Sequence, residues 1–193
     1  MENKKVDIRE LVWEEHKNAE RQEFVKTLMS GNIDHKLYAT YLYNQFHCYA
    51  TLEMYAQDLS LFVDTPGLQR ASAIKKDYYK LWKEDYAPDL TKSTIDYLRH
   101  IENIKEDTEK LYAHIYVRHL GDLSGGQMIR RKTPGPNNYY FFTPEQMKYK
   151  EIVRTKINQY LNIYQVNVVS EARLCFEYAT RLFGEMNDLG KTD

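Results

Sequence analysis

The sequence has 193 residues, enough for one domain with a substantial core, and its formal net charge of −1 gives no overall attraction to nucleic acid or to an anionic membrane surface. The two cysteines, Cys48 and Cys175, form no CxxC pattern, which argues against a disulfide framework or a zinc site and favours buried thiols in a reducing compartment. No apolar run approaches the ~20 residues that span a bilayer, and the first ten residues lack the apolar core of a targeting peptide, so we expect a soluble, cytoplasmic protein without a membrane partner.

Hydrophobic residues at helical spacing, bounded by caps and breakers, predict three helices in the first third of the chain. They are a helix from Asp7 to His16, a helix over residues 19–30 that ends at Gly31, and a long helix from Asp34 to Leu59, after which Thr65-Pro66-Gly67 breaks the pattern.

The rest of the chain has the same helical pattern. The predicted elements are a helix over 68–86, a helix capped by Thr91 or Ser93 that passes Leu111 and continues to Arg130, a loop over 133–138, a helix that starts with Thr143 as N-cap, and a last helix over 167–188. We find no repeat and no internal linker. The sequence therefore predicts an all-α fold with one domain over residues 1–193.

Residues 116–127, YVRHLGDLSGGQ, contain three of the eight glycines of the chain within a stretch that otherwise predicts a helix. Each glycine inside a helix costs about 0.5–1 kcal/mol relative to alanine. Gly121, Gly125 and Gly126 therefore indicate a kinked backbone or a close approach to something bulky, either a ligand or a neighbouring helix. Asp122 lies among them, and a buried carboxylate is expensive unless it has partners. This combination predicts one wall of a pocket for a flat ligand.

The segment closely resembles the distal-helix signature of the heme oxygenases, and the resemblance continues in the order of that family from about residue 7 to 186. The matching residues are Arg118 and Leu120 to Gln127, Glu15 to Glu20 around His16, Tyr49 to Glu53, the basic residues Lys150 and Arg154 followed by Asn158, and the apolar positions Phe176 and Phe183.

The resemblance implies a helical bundle with heme between a proximal helix and a kinked distal helix. His16 corresponds to the axial iron ligand, although by itself one histidine of six in an amphipathic helix is ordinary. Glu20 lies four residues later on the same face and corresponds to the acid that bonds the ligand imidazole, which would fix its tautomer and raise its basicity.

On the distal side, the resemblance implies that Asp122 organises water near the iron, with Arg118 and Tyr49 as its partners. Gly121 is expected at the reacting centre, and Gly125 and Gly126 are expected to face the heme. Such a carboxylate delivers a proton through water without forcing cleavage of the O–O bond.

Several residues are candidates to hold the edge and the face of the porphyrin. Lys150 and Arg154 share one helix face at i,i+4 spacing and could bind the propionates; Arg9, two turns before His16, could do so or could lie at the surface. Phe176 and Phe183 are seven residues apart and could pack on the porphyrin or in the core.

The activity implied by the resemblance is O2- and electron-dependent cleavage of heme at the α-meso carbon to biliverdin IXα, CO and Fe2+. Heme b is then both substrate and cofactor, and no other metal is expected. The basic run Arg130-Arg131-Lys132 could dock an acidic electron donor such as ferredoxin, or another reductase.

Two other readings stay open on the sequence. The first is a non-catalytic heme-binding protein for storage, sensing or transport, which would have no use for Asp122. The second is a helical enzyme without heme, thiaminase-like or di-iron; a di-iron site would need paired Glu-x-x-His motifs, and we find no such pair. The chain departs from the family pattern at Trp13, His119 and Ala179, where many relatives have lysine, tyrosine and asparagine.

Overall fold

The computed structural model describes residues 7–192. Within this range every regular element is an α-helix, and no strand is present, so the predicted all-α fold is confirmed. The helices are α1 (Ile8–Leu11), α2 (Trp13–Glu20), α3 (Glu23–Ser30), α4 (His35–Asp58), α5 (Ala71–Leu81), α6 (Lys92–Asn103), α7 (Thr108–Arg130), α8 (Pro144–Met147) and α9 (Tyr149–Leu189).

The N-terminal segment is more divided than its sequence pattern indicates. Asp7 caps α1 by accepting a hydrogen bond from the Arg9 amide, but the predicted helix to His16 is interrupted at Val12, whose φ of −118° and ψ of 17° lie outside the helical region. Ile8 and Val12 are both buried in the core. α3 begins at residue 23 rather than 19 and ends, as predicted, at Gly31, where φ is 82°.

The caps of the middle helices follow the sequence, whereas two predicted lengths are wrong. Asp34 caps α4, and Thr91 rather than Ser93 caps α6. α5 is shorter than the predicted 68–86 because its first amides, of Arg70 and Ala71, are held by a buried carboxylate of α4 and residue 82 is extended. The predicted continuous helix to Arg130 is divided into α6 and α7 by a turn over 104–107.

The C-terminal part contains two helical segments that meet at a kink. Thr143 and Gln146 form the predicted capping box of α8. α9 then runs from Tyr149 to Leu189, and its backbone is non-helical at Tyr164, with φ of −124° and ψ of 41°, where two helices join. The predicted last helix over 167–188 lies within the second of these segments, which begins directly after Tyr164 rather than at residue 167.

α7 is the central helix of the core. It packs on α9 and α4, and its residues 111–116, 118–120 and 122–123 are all buried. The loop between α7 and α8 is fastened by Asp77 of α5, whose carboxylate accepts hydrogen bonds from the amides of Asn138 and Tyr139. This loop therefore places Tyr139 and Tyr140, stacked with ring centroids 4.0 Å apart, against the interior of the protein.

Cys48 and Cys175 are both buried and unbridged, as the sequence predicts. Across residues 7–192, no helix combines the length and the apolar character needed to span a membrane.

Candidate functional site

Asp122 of α7 is a buried carboxylate in a short chain of hydrogen bonds. Its Oδ2 accepts a hydrogen bond of 2.7 Å from the hydroxyl of Tyr49 on α4, and that hydroxyl accepts one of 3.0 Å from Tyr139. Burial raises the Asp122 pKa to about 6, although the hydrogen bonds from Tyr49 and Tyr139 act to lower it. A carboxyl group with this pKa gains and loses its proton close to neutral pH, which suits it to proton transfer.

Tyr139 is a member of this site that the sequence analysis missed. It lies in the loop between α7 and α8, outside any helical pattern or motif, and only the fold brings its hydroxyl to Tyr49. The fastening of its backbone amide by Asp77 sets the position of the ring. Tyr139 thereby orients the residue that contacts Asp122.

Arg118 has other partners than the sequence predicts. Its guanidinium donates hydrogen bonds to the hydroxyl of Tyr97 at 2.9 Å and to Oε1 of Gln45 at 3.1 Å, rather than to Asp122. It also lies 5.4 Å from the ring centroid of Tyr49. The structure therefore places Arg118 behind Tyr49, where it supports the tyrosine and leaves the carboxylate to the tyrosine hydroxyl.

The three glycines of α7 serve two different purposes. α7 continues as one helix through all of them. A Cβ atom at Gly121 or Gly125 would meet no atom within 4 Å, whereas one at Gly126 would lie 2.5 Å from Cδ1 of Tyr140. Gly126, expected to face a ligand, is thus required by close packing on Tyr140, and only Gly121 and Gly125 leave the helix surface bare.

His16 of α2 is half-exposed, with 42 % of its side chain accessible. Its ring stacks on Trp13 at 5.6 Å and meets the edge of Phe176 at 5.8 Å. Nδ1 is buried without a hydrogen-bond partner, and Nε2 lies 3.6 Å from Oε1 of Glu20, just beyond hydrogen-bond distance. The imidazole is therefore held by its neighbours, with Nδ1 buried among them and Nε2 towards Glu20.

The basic candidates for the edge of the site lie on α1 and α9. Arg9 is on α1, and Arg154 pairs with Glu151 of α9 at 2.7 Å. Lys150 is half-buried one turn before Arg154. Tyr116 of α7 is buried, and burial together with the charge of Asp7 raises its pKa to about 12, while the charges of Arg154 and Arg9 act to lower it.

The two predicted phenylalanines have different environments. Phe176 contacts the ring of His16, as a pocket residue would. Phe183 packs against the buried rings of Phe24 at 6.1 Å and Tyr41 at 6.3 Å. Phe183 therefore contributes to the aromatic core of α3, α4 and α9.

His119 contacts both Tyr49 and the carboxylate that holds the start of α5. Its Nε2 lies 2.9 Å from Oε1 of Glu53, and the same carboxylate accepts the amides of Arg70 and Ala71. The His119 ring meets the ring of Tyr49 edge-on at 5.1 Å. This buried pair fixes one side of Tyr49.

A groove of about 900 Å³ lies between the N-terminal helices and α9. Among the described residues its walls come from α1, α2 and α9, with Leu11, Val169 and the ion pair of Glu15 and Arg173 along it. No part of α7 lines it, so the groove is separate from Asp122 and the bare glycines. It touches the candidate site only through Phe176.

Comparison with known proteins identifies the family. A profile of the heme oxygenases matches residues 3–185. The chain belongs to the heme oxygenase family. The chain is 29 % identical over 210 residues to a heme oxygenase of Porphyra purpurea, covering 94 % of this chain and 85 % of the relative.

Solved heme oxygenase structures share the fold. The structure of heme oxygenase from Leptospira interrogans superimposes with a TM-score of 0.80 at 28 % identity, covering 92 % of this chain and 97 % of that one. Heme oxygenase-1 of the cyanobacterium Synechocystis, crystallised in complex with heme, gives a TM-score of 0.79 at 22 % identity, covering 96 % and 93 %. The helix order of this chain is thus a heme oxygenase fold.

We predict that Asp122→Asn changes the dependence of stability on pH in this heme oxygenase family member. Burial holds the Asp122 pKa near 6, above the 3.8 of an exposed carboxyl, so the folded state binds the proton more tightly than the unfolded state. The resulting stabilisation is complete below about pH 4 and is lost as the pH rises through about 6. As the pH rises from about 4 to neutral, the unfolding free energy of the unaltered protein should fall by about 3 kcal/mol relative to that of the variant.

Urea unfolding of both proteins across this pH range measures the difference. Asp85→Asn, at an exposed carboxyl of the segment between α5 and α6, is the matched control and should follow the unaltered protein. Parallel stability curves for the unaltered protein and Asp122→Asn would contradict the raised pKa.

Proposed function

We propose that this chain is a heme oxygenase that uses O2 and electrons to cleave heme b at the α-meso carbon, releasing biliverdin IXα, CO and Fe2+. The observation that carries this proposal is a buried carboxyl group with a pKa near 6, hydrogen-bonded to Tyr49, on a helix where Gly121 and Gly125 leave open space on either side of it in sequence. Acid, bare surface and imidazole together suit oxidation of a flat ligand better than its storage.

In this proposal the flat ligand lies between α2 and α7, both of which pack on α9. We assign His16 as the axial ligand of heme iron. The half-exposed ring has one nitrogen without a partner and lies beside the carboxylate of Glu20, which could hold the nitrogen that does not bind iron and so fix the tautomer. Because Nδ1 is buried, iron binding would require the ring to turn.

Gly121 and Gly125 supply the opposite wall. Because glycine has no side chain, the open space beside both Cα atoms lets a porphyrin approach the backbone more closely than any other residue type would permit. Heme, when bound, supplies both the iron that binds O2 and the meso carbon that is oxidised.

Asp122 is the proton donor in this proposal. Tyr49 donates a hydrogen bond to Oδ2 of Asp122, so we assign the other carboxyl oxygen, Oδ1, to contact with solvent. Through Oδ1, Asp122 passes a proton to water near neutral pH. Tyr139 and Arg118 hold Tyr49 in position. An acid that acts through water supplies a proton with less driving force than a directly placed imidazolium.

The basic group at the pocket edge determines how a heme would be oriented. Lys150, Arg154 and Arg9 are the residues that we assign to the propionates, because charge-assisted pairs fix direction as well as position. Rotation of the heme in its plane would present a different meso carbon, so these contacts select the product isomer. Phe176 would pack against the proximal side beside His16.

Electrons are proposed to come from ferredoxin or another reductase in the cytoplasm. The basic run at the end of α7 leaves Arg131 and Lys132 exposed, and Arg130 lies over the ring of Phe141 at 4.8 Å. An exposed positive patch next to the proposed heme site favours docking of an acidic donor by electrostatic steering.

We predict that Asp122→Ala binds hemin but loses most bilin formation. With hemin and either ascorbate or ferredoxin and its reductase, the unaltered protein should replace its Soret band by bilin absorption. Removing the carboxyl eliminates the group that supplies the proton, and general acid–base groups contribute about 10²- to 10⁴-fold. Asp85→Asn should turn over normally. Normal turnover of Asp122→Ala would contradict the role assigned to this carboxyl. Hemin binding without bilin formation in the unaltered protein would favour a heme carrier over an enzyme.

We predict that Gly125→Ala raises the stability of the heme-free protein and weakens hemin binding. Open space accepts the methyl group and the helix gains about 0.5–1 kcal/mol. If heme fills that space, the overpacking costs about 1–3 kcal/mol, or about 5- to 100-fold in affinity.

Gly184→Ala is the matched control, since a Cβ there also meets nothing within 4 Å but lies on α9. It should gain stability and keep its hemin affinity. Equal hemin affinities for the two alanine variants would contradict the placement of heme against Gly125. Urea unfolding and optical titration with hemin provide the two measurements.

A further inference from the structure

Three metal-ligating side chains from different helices converge in the interior, away from the proposed heme site. They are His100 of α6, His114 of α7 and Glu171 of α9. Oε2 of Glu171 lies 2.7 Å from Nε2 of His100 and 3.0 Å from Nε2 of His114. All three ligand atoms lie within 4.8 Å of one another. His114 precedes Asp122 by eight residues on α7, which is about 12 Å along the helix.

We infer that His100, His114 and Glu171 form a binding site for one divalent first-row transition metal ion, such as Zn2+, Co2+ or Fe2+. Two imidazoles and one carboxylate are a donor set that these ions accept, whereas Mg2+ and Ca2+ prefer oxygen alone. The site goes beyond heme cleavage and departs from the expectation that the chain binds no other metal. It requires neither heme nor turnover.

The cluster is largely buried and reaches solvent at His100. His114 is fully buried and the Glu171 side chain is 11 % exposed, whereas the side chain of His100 is 19 % exposed, so an ion would enter past His100 and solvent could complete its coordination. Nδ1 of His114 has no hydrogen-bond partner, and Nε2 is the ring nitrogen that faces Glu171.

The test titrates the heme-free full-length protein with Zn2+ by calorimetry. We expect one Zn2+ per chain, and His100→Ala should weaken binding by more than about 100-fold, since even outer-shell partners are worth about 10- to 100-fold. His47→Ala, at a partly exposed histidine of α4 outside the cluster, is the matched control and should bind as the unaltered protein does. His16→Ala should also retain binding, because the pair of His16 and Glu20 lies outside the cluster.

A second measurement uses the unaltered protein, so that the outcome does not depend on the folding of a variant. X-ray absorption at the zinc edge should report two imidazole nitrogens together with oxygen. Absence of Zn2+ binding, sulfur ligation by Cys48 or Cys175, or one imidazole would overturn the site. Retention of full affinity in His100→Ala, or its loss in His16→Ala, would overturn it equally.

Discussion

The burial of one carboxyl group, Asp122, is the constraint on which this arrangement of helices depends. A buried acid is tolerated only when it has partners, and Tyr49 and Tyr139 supply them from α4 and from the loop after α7. Arg118 and His119, on the same helix as the acid, then hold Tyr49 from behind and from the side. The proton affinity of Asp122 is thus set by an interior built around it.

Bare backbone is the second half of this arrangement. Gly121 and Gly125 leave open space next to the acid, while Gly126 admits the ring of Tyr140, the neighbour of Tyr139. One glycine of the motif therefore builds the interior and two keep a surface clear. The sequence shows three glycines within six positions but cannot show that one of them is required by packing and that the other two leave the helix surface open.

The parts of the fold that the sequence predicts are those with local causes. The caps at Asp34 and Thr143 and the stop at Gly31 depend on neighbouring atoms of the chain, so their patterns are readable. The break at Val12 and the turn over 104–107 carry no such pattern. The same holds for sites: Asp122 lies in a motif, whereas Tyr139 and the trio of His100, His114 and Glu171 are assembled from distant segments by helix packing alone.

The location of iron in a crystal of the hemin complex tests the central claim most directly. Anomalous scattering at the iron edge locates the metal without reference to any assumed ligand. The account predicts iron bonded to a ring nitrogen of His16, with the porphyrin lying against Gly121 and Gly125. Iron bonded to a different histidine, or heme seated in the groove between α2 and α9, would contradict it.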